Sequence, residues 1–219
     1  MLDADGTILD FEAAEKQAIQ SACKRSGLDI SAAQMLLYTQ INHEAWRAFE
    51  RKEITQEELR VLRFARFLDA IKHQADAAQM AEDFADALSQ QSQPIEGALS
   101  FLEEASKRVP IIVVTNGIAS VQHARFAKSP LRQHIAHFVV SGEVGFAKPD
   151  PRMLYHAVAL SGLQNANALM VGDEPNSDIA AANAAQIDSC WFNPGGRANT
   201  TPHAPTLEIT SLSEVMQWI

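Results

Sequence analysis

The sequence opens on two carboxylates placed two residues apart, Asp3 and Asp5, and Gly6 and Thr7 follow them at once. A carboxylate is a competent nucleophile toward phosphorus, with which it forms an aspartyl-phosphate. A second acid close by can protonate the oxygen that leaves and then activate a water molecule. The pair therefore suggests phosphoryl transfer, provided that the rest of the chain brings suitable partners to it.

Three further polar groups could join this pair: residues 115–117, Thr-Asn-Gly; residues 148–150, Lys-Pro-Asp; and residues 172–173, Gly-Asp, with Asp178 shortly after them. Taken alone, each is explained by an ordinary turn, a solvated lysine or a helix cap. Together they occur in order, and each comes after an apolar run. This combination is the signal that points to chemistry.

The apolar runs predict the elements that position these groups. Strands are expected at residues 111–114, 138–140, 169–171 and 189–192, with a candidate fifth at 207–209. Continuously apolar strands that alternate with helical stretches are typical of a parallel sheet covered on both faces. Met1 and Leu2 are predicted to be the short end of a further strand of that sheet.

The segment between the opening motif and the first of these strands has the sequence pattern of α-helices. Residues 11–93 are predicted to form an inserted helical cap domain, with Ser31 and Thr55 as N-caps and residues 90–93 as a linker. Within it, three-to-four spacing predicts an apolar helix face made of Val61, Phe64, Ala65 and Leu68. Residues 1–10 and 94–219 are predicted to form the core domain. The expected fold class is α/β, a Rossmann-like doubly wound parallel sheet with an inserted α-helical cap.

Ligands of a doubly wound sheet bind beyond the carboxyl ends of its strands, where the polar groups of this sequence are expected to meet. Several carboxylates at one point repel one another unless a cation lies among them. Oxygen ligands without a neighbouring histidine or thiolate favour a hard ion, Mg²⁺ before Ca²⁺. A lysine and a threonine beside that ion suit a phosphoryl group.

These motifs, with the inserted helical cap, resemble the haloacid dehalogenase-like hydrolase superfamily, most of whose members are Mg²⁺-dependent phosphatases. The resemblance implies that Asp3 is the nucleophile and Asp5 the general acid and base. It also implies a Mg²⁺ cofactor held by Asp3, the backbone carbonyl of Asp5, and Asp173. Because a halide leaves without a proton, an acid at position 5 favours phosphate esters over haloacids.

The resemblance extends to the groups that would contact the phosphate. It implies that Thr115 and Lys148 bind the phosphoryl group and that Asn116 assists them, with Lys148 also counted as catalytic. Asp178 would orient either Lys148 or a metal-bound water.

The sequence in and around the motifs is similar to that of the noncanonical pyrimidine nucleotidases, which dephosphorylate nucleoside monophosphates. The similar segments are residues 142–150, 169–173 and 190–193. In the cap, Asn42, Trp46 and Arg63 are candidate substrate residues, although core packing explains Trp46 at least as well and a solvated helix face is the simpler interpretation of Arg63.

Three alternatives to a nucleotidase stay open at this point. A sugar-phosphate phosphatase and a phosphomutase share all the motifs. A non-catalytic binding relative is a more distant possibility. A signalling receiver domain fits poorly, because its acceptor aspartate lies on a later strand.

Composition narrows the partners. The chain of 219 residues carries 18 Lys and Arg against 27 Asp and Glu, a formal net charge of −9. This balance disfavours a nucleic acid polymer or an anionic membrane as partner, so the expected partner is a small phosphorylated metabolite. Two cysteines without ligand spacing, and the lack of a signal peptide pattern or a long apolar run, predict a cytoplasmic protein. The expected assembly is a monomer or a homodimer.

Overall fold

The computed structural model describes residues 1–164 and 167–219. The chain divides into two compact units, one formed by Met1–Phe11 with Ser92–Ile219 and the other by Glu12–Gln91. The predicted division lies after residues 10 and 93, one or two residues from the structural boundaries, and the second boundary falls within residues 90–93, which the sequence marks as a linker.

The second unit is helical, and its helices begin where the sequence supplies a cap. The bounds are α1 (Phe11–Arg25), α2 (Ala32–Glu50), α3 (Gln56–Ala70) and α4 (Ala77–Ser89). Ser31 and Thr55 each accept a hydrogen bond from the third helical amide, and Gln34 and Glu58 accept one in turn from the cap amide. Both predicted N-caps are therefore confirmed as complete capping boxes, which satisfy amides that a helix start leaves without a partner.

The buried face of α3 differs from the predicted one. Phe64 and Leu68 are buried as expected, but Val61 and Ala65 are exposed. The buried set is completed by Leu59, Arg63 and Phe67. Leu59 and Phe67 have larger side chains than Val61 and Ala65, so the helix removes more apolar area from water with the first pair facing inward. The interpretation of Arg63 as solvated is wrong, since only 3% of this residue is exposed.

The first unit is built on a parallel sheet. Its strands are β1 (Ile112–Thr115), β2 (His137–Val140), β3 (Leu169–Gly172), β4 (Asp188–Phe192) and β5 (Leu207–Ile209). β1 pairs with β2, and β4 pairs with both β3 and β5, always in parallel. The predicted strands are confirmed to within one residue at each end.

Residues 1–3 join these two groups of strands. Leu2 bridges β1 on one side and β3 on the other, both in parallel. Its carbonyl oxygen accepts from the Val114 amide at 2.8 Å, and the Asp3 amide donates to the Val171 carbonyl at 2.9 Å. The resulting order is β2-β1-(1–3)-β3-β4-β5, so the short opening segment lies at the centre of the sheet and fixes the backbone of Asp3.

Helices cover both faces of the sheet. Alternate strand residues point to opposite faces: Val113 packs in one cluster with Phe101, and Val114 packs in another with Leu154. The helices of this unit are α5 (Ala98–Ala105), α6 (Ala119–Lys128), α7 (Ser141–Val144), α8 (Pro151–Ser161) and α9 (Ala180–Ala185), with shorter turns at Pro130–His134, Pro175–Ile179 and Leu212–Gln217. The predicted doubly wound α/β fold is confirmed. In the part of the chain that the structure describes, no helix has both the length and the apolar character to cross a bilayer.

Candidate active site

The polar groups that the sequence singles out lie at the carboxyl edge of the sheet. Asp3 follows the bridging Leu2, Thr115 is the last residue of β1, and Asp173 follows β3 directly. Because these elements run in parallel, their carboxyl ends share one edge. Residues that are far apart in sequence thereby come together in one place.

Lys148 connects the acids of this edge. Its Nζ donates to Asp3 Oδ1 at 2.5 Å, to Asp178 Oδ1 at 2.7 Å and to the Val114 carbonyl oxygen at 2.8 Å. Its side chain is only 2% exposed, and a buried ammonium is tolerated only when it is paired. With three acceptors, the ammonium has one defined position beside Asp3. Asp178 thus contacts Lys148 directly, and its role in orienting either Lys148 or a metal-bound water stays a prediction.

Asn116 holds the backbone of the same lysine. Its Nδ2 donates to the Lys148 carbonyl oxygen, and its Oδ1 accepts from the Lys148 amide, both at 2.8 Å. A side-chain amide that makes both bonds fixes the loop that carries Lys148. The help that Asn116 was expected to give in phosphate binding stays a prediction.

Asp173 accepts hydrogen bonds at both its carboxylate and its backbone carbonyl oxygen. Thr7 Oγ1 donates to Asp173 Oδ1 at 3.3 Å. Trp191 Nε1 and Arg197 Nη2 donate to the Asp173 carbonyl oxygen at 3.0 and 2.8 Å. Gly6, at φ +79°, lies so close that an added β-carbon would be 2.5 Å from Asp173 Oδ2. Only glycine both adopts this φ at low cost and leaves room for the carboxylate.

Burial and mutual repulsion shape the electrostatics of this site. Burial raises the pKa of Asp3 well above its usual range against the attraction of Lys148, and the charges of Asp178 and Asp173 raise it further. Burial, followed by the charge of Asp178, raises the pKa of Asp173 to about 7. Burial alone would lower the pKa of Lys148, but the charges of Asp178 and Asp3 outweigh it and raise that pKa. One ammonium therefore does not compensate the three acids.

The donor set fits a hard divalent cation. One carboxylate oxygen each from Asp3, Asp173 and Asp178 lies within 4.8 Å of the other two. These ligand atoms are all oxygens, which suits Mg²⁺. Such an ion would supply the positive charge that Lys148 does not. Of the predicted ligands, the structure thus brings Asp3 and Asp173 together and adds Asp178 to them.

Asp5 meets a different set of partners, which sequence reasoning missed. Arg125 Nη1 donates to Asp5 Oδ1, and Gln122 Nε2 donates to Asp5 Oδ2 at 2.5 Å. Gln122 Nε2 also donates to Thr115 Oγ1 at 3.1 Å. Both new residues lie on α6 and are 1% exposed. A signal was present in the sequence, because they share the buried face of α6 with Val121 and Phe126, where a polar pair is unexpected.

The three predicted cap residues are not equivalent in the helical unit. Asn42 is buried, donates to Glu15 Oε1 at 2.5 Å and accepts from Arg63 Nη1 at 2.8 Å. The Arg63 guanidinium also lies over two aromatic rings of this unit, Phe64 and Phe84. Trp46 instead packs edge-on against Phe49, with ring centroids 5.8 Å apart. The roles of these residues in substrate binding stay predictions.

Comparison with known proteins shows the family to which the chain belongs. Residues 1–192 match the family model described as haloacid dehalogenase-like hydrolase. The pyrimidine 5'-nucleotidase PynA of Streptococcus pneumoniae is 31% identical over 99% of this chain and 92% of its own. The pyrimidine 5'-nucleotidase YjjG of Escherichia coli is 28% identical over 98% of this chain and 94% of its own.

A solved structure shows the same fold along nearly the whole chain. It is that of the HAD-family protein YfnB from Bacillus subtilis bound to magnesium, with a TM-score of 0.93, 29% identity, and coverage of 99% of this chain and 96% of that one. The chain belongs to the haloacid dehalogenase-like hydrolase family. The predicted class, an enzyme of the phosphatase type within this family, is thereby confirmed.

Proposed function

We propose that this protein is a Mg²⁺-dependent phosphomonoesterase that hydrolyses nucleoside monophosphates through an aspartyl-phosphate on Asp3. The observation that carries the proposal is the position of the Asp3 carboxylate. It is held by Lys148 Nζ at 2.5 Å and lies within one cluster with Asp173 and Asp178. A carboxylate, a buried ammonium and a group of acids that could hold a metal ion thus lie together at the edge of the sheet where substrates of this fold class bind, which supports the roles proposed for them.

In the first step, an Asp3 carboxylate oxygen attacks the phosphorus and the bond from phosphorus to the leaving oxygen breaks. Asp5 gives its proton to that oxygen, so the nucleoside leaves as an alcohol and Asp5 remains as a carboxylate. Lys148 and Thr115 hold oxygens of the phosphoryl group in place. A bound Mg²⁺ would neutralise part of its charge.

In the second step, Asp5 acts as a base. It takes a proton from a water molecule, which attacks the phosphorus of the aspartyl-phosphate. The bond between phosphorus and the Asp3 oxygen breaks, and inorganic phosphate is released. Asp3 is again a carboxylate and Asp5 again carries a proton, so the cycle closes without any further reactant.

The substrate class is supported by the relatives. PynA and YjjG, both named pyrimidine 5'-nucleotidases, match this chain almost from end to end. Pyrimidine nucleoside monophosphates are therefore the first substrates to test. Sugar phosphates are the nearest alternative, because their hydrolysis would require the same nucleophile, acid and phosphate-binding groups.

Phosphate release with and without Mg²⁺, over a panel of nucleoside monophosphates and sugar phosphates, tests the proposal. We expect Mg²⁺-dependent release, fastest with a pyrimidine nucleotide, and its loss in Asp3→Asn. Asp69→Asn, an exposed carboxylate on α3, is the matched control and should retain wild-type turnover. Faster release from a sugar phosphate would replace the substrate class, and isomerised rather than dephosphorylated product would indicate a mutase. No release from any ester by folded protein would overturn the proposal.

A further inference from the structure

Arg125 is a buried arginine on a helix face that otherwise packs into the core. Its side chain is 1% exposed, and α6 buries Val121 and Phe126 on the same face. A guanidinium keeps its charge at any pH that a folded protein tolerates, and its removal from water is costly unless it has a fixed partner. An aliphatic side chain would pack there without this desolvation penalty. The presence of a charge therefore indicates a role that requires a polar contact.

That partner is Asp5, and Arg125 does not hold it alone. Arg125 Nη1 donates to one carboxylate oxygen of Asp5, and Gln122 Nε2 donates to the other at 2.5 Å. Arg125 Nη1 also donates to Gln122 Oε1 at 3.2 Å, which ties the two donors to each other. A carboxylate held at both oxygens has its position and its plane fixed together. The Asp5 side chain nevertheless remains 23% exposed, so solvent and ligands can reach it.

Gln122 links this acid to the phosphate-binding strand end. Its Nε2 donates to Thr115 Oγ1 at 3.1 Å, and the same hydroxyl accepts from the Gly117 amide at 3.0 Å. An added β-carbon at Gly117 would lie 2.7 Å from Gln122 Cγ. The glycine of the Thr-Asn-Gly motif therefore makes the room that lets Gln122 reach both Asp5 and Thr115.

We propose that Arg125 and Gln122 are positioning residues that hold the Asp5 carboxyl group for proton transfer to the leaving oxygen. The inference rests on the proposed function and assigns these residues to one part of it, the departure of the alcohol. As the bond from phosphorus to oxygen breaks, the proton of Asp5 passes to that oxygen. The carboxylate left behind is stabilised by the charge of Arg125 and the hydrogen bond from Gln122.

This role depends on the leaving group, which makes it separable from a structural one. The alkoxide of a nucleoside is a poor leaving group and needs the proton of Asp5, whereas p-nitrophenolate leaves readily without it. The parameter to compare is kcat/KM, because it covers only the steps up to the departure of the leaving group. The later hydrolysis of the aspartyl-phosphate, in which Asp5 also acts, does not enter it.

The experiment measures kcat/KM for uridine monophosphate, phenyl phosphate and p-nitrophenyl phosphate in wild type, Arg125→Gln and Gln122→Leu. We expect Arg125→Gln to lower kcat/KM about 10²-fold with the nucleotide, because general acid catalysis typically contributes about 10²-fold or more. With p-nitrophenyl phosphate, which does not need the acid, kcat/KM should fall less than about threefold. Phenyl phosphate should fall between them, Gln122→Leu should show the same order with smaller losses, and Arg125→Lys should recover part of the loss. Asp5→Asn, which removes the acid itself, should show the largest difference in kcat/KM loss between the nucleotide and p-nitrophenyl phosphate.

Arg66→Gln, an exposed arginine on α3, is the matched control and should leave all three values unchanged. Equal losses with all three esters, or no loss, would overturn the positioning role while the turnover of the wild type upholds the proposed function. If Arg125→Gln does not fold, as thermal unfolding would reveal, Gln122→Leu decides by the same ratio. A wild type that hydrolyses none of the esters would overturn both the function and the inference.

Discussion

The two acids of the opening motif are held by different cations from different parts of the chain. Asp3 meets Lys148, from the loop before α8, and Asp5 meets Arg125, from α6. Both cations are almost completely buried. Their separation suits the distinct roles proposed for the acids, because a nucleophile and a proton donor must be held independently of each other.

Removal of the Lys148 charge should destabilise the metal-free protein. Lys148→Met leaves Asp3 and Asp178 buried without their ammonium, a loss of about 3–5 kcal/mol in the free energy of unfolding. Urea unfolding in the presence of a chelator measures it. Lys107→Met removes an exposed ammonium that pairs with exposed Glu104 and should leave the unfolding midpoint nearly unchanged, because solvent screens such a pair. Equal unfolding midpoints for the two variants would contradict the pairing described here.

The site residues that could be predicted from the sequence are those that follow a strand. Asp3, Thr115 and Asp173 could be predicted because a polar residue that directly follows an apolar run must emerge at the sheet edge. Gln122 and Arg125 lie inside a helix, and their partner is more than 100 positions away. Local pattern shows that such residues are buried, but only the tertiary fold shows what they contact.

The turn that contains Gly6 and Thr7 packs directly against the Asp173 carboxylate. Gly6 has φ +79° and faces the Asp173 carboxylate directly. Gly27 has nearly the same φ, +78°, but no atom lies within 4 Å of the position where its β-carbon would be. The two glycines thus share a backbone requirement and differ only in what surrounds them.

Alanine at these two positions should separate strain from site geometry. Both Gly6→Ala and Gly27→Ala should lose about 1–2 kcal/mol of stability, because an L-residue is strained in the left-handed region. Only Gly6→Ala should also displace Asp173, and we expect it to weaken Mg²⁺ activation by about 10–100-fold. Titration of activity with Mg²⁺ measures this effect. If both variants required the same Mg²⁺ concentration, Gly6 would not be shaping the metal site.

Elements were predicted more accurately than the faces that they bury. The strands could be placed because short apolar β-branched runs between helical stretches are typical of buried parallel strands. The predicted face of α3 is wrong in part because Val61 and Ala65 fit the helical spacing as well as the residues that are buried. Arg63 joins the core through Asn42 and two aromatic rings, which a hydrophobicity pattern does not register.

The molecule as a whole combines a net charge of −9 with a cluster of three carboxylates, of which Asp3 and Asp178 are buried and Asp173 is half-buried. Such a cluster couples metal binding, proton binding and folding, because ions that bind only the folded state stabilise it. Mg²⁺ and protons would compete for the same oxygens.

This coupling predicts how stability depends on pH. The pKa of Asp173 rises from 3.8 to about 7 on folding, so the folded chain holds a proton that the unfolded chain has lost. Its contribution to stability is complete below pH 3.8 and is lost as the pH rises through about 7. With a chelator present, the melting temperature should therefore fall between about pH 4 and pH 7 and level off above it, and added Mg²⁺ should raise it more at the higher pH.

Asp173→Asn supplies the control for this dependence. With no acid at this position, the fall in melting temperature across the same pH range should be smaller, and the gain from Mg²⁺ should shrink at every pH. An equal gain from Mg²⁺ at both ends of the range in the unaltered protein would show that protons and Mg²⁺ do not compete for this cluster.

Phosphorylation of Asp3 during turnover can be detected by acid quenching followed by peptide mass spectrometry. Protein mixed with Mg²⁺ and uridine monophosphate, then quenched within one turnover, should carry a phosphoryl group on the peptide that contains Asp3 and on no other. Asp5→Asn should accumulate more of it, because hydrolysis of the intermediate needs the base. Phosphate release without any phosphorylated Asp3, or with the phosphoryl group on another residue, would contradict the account.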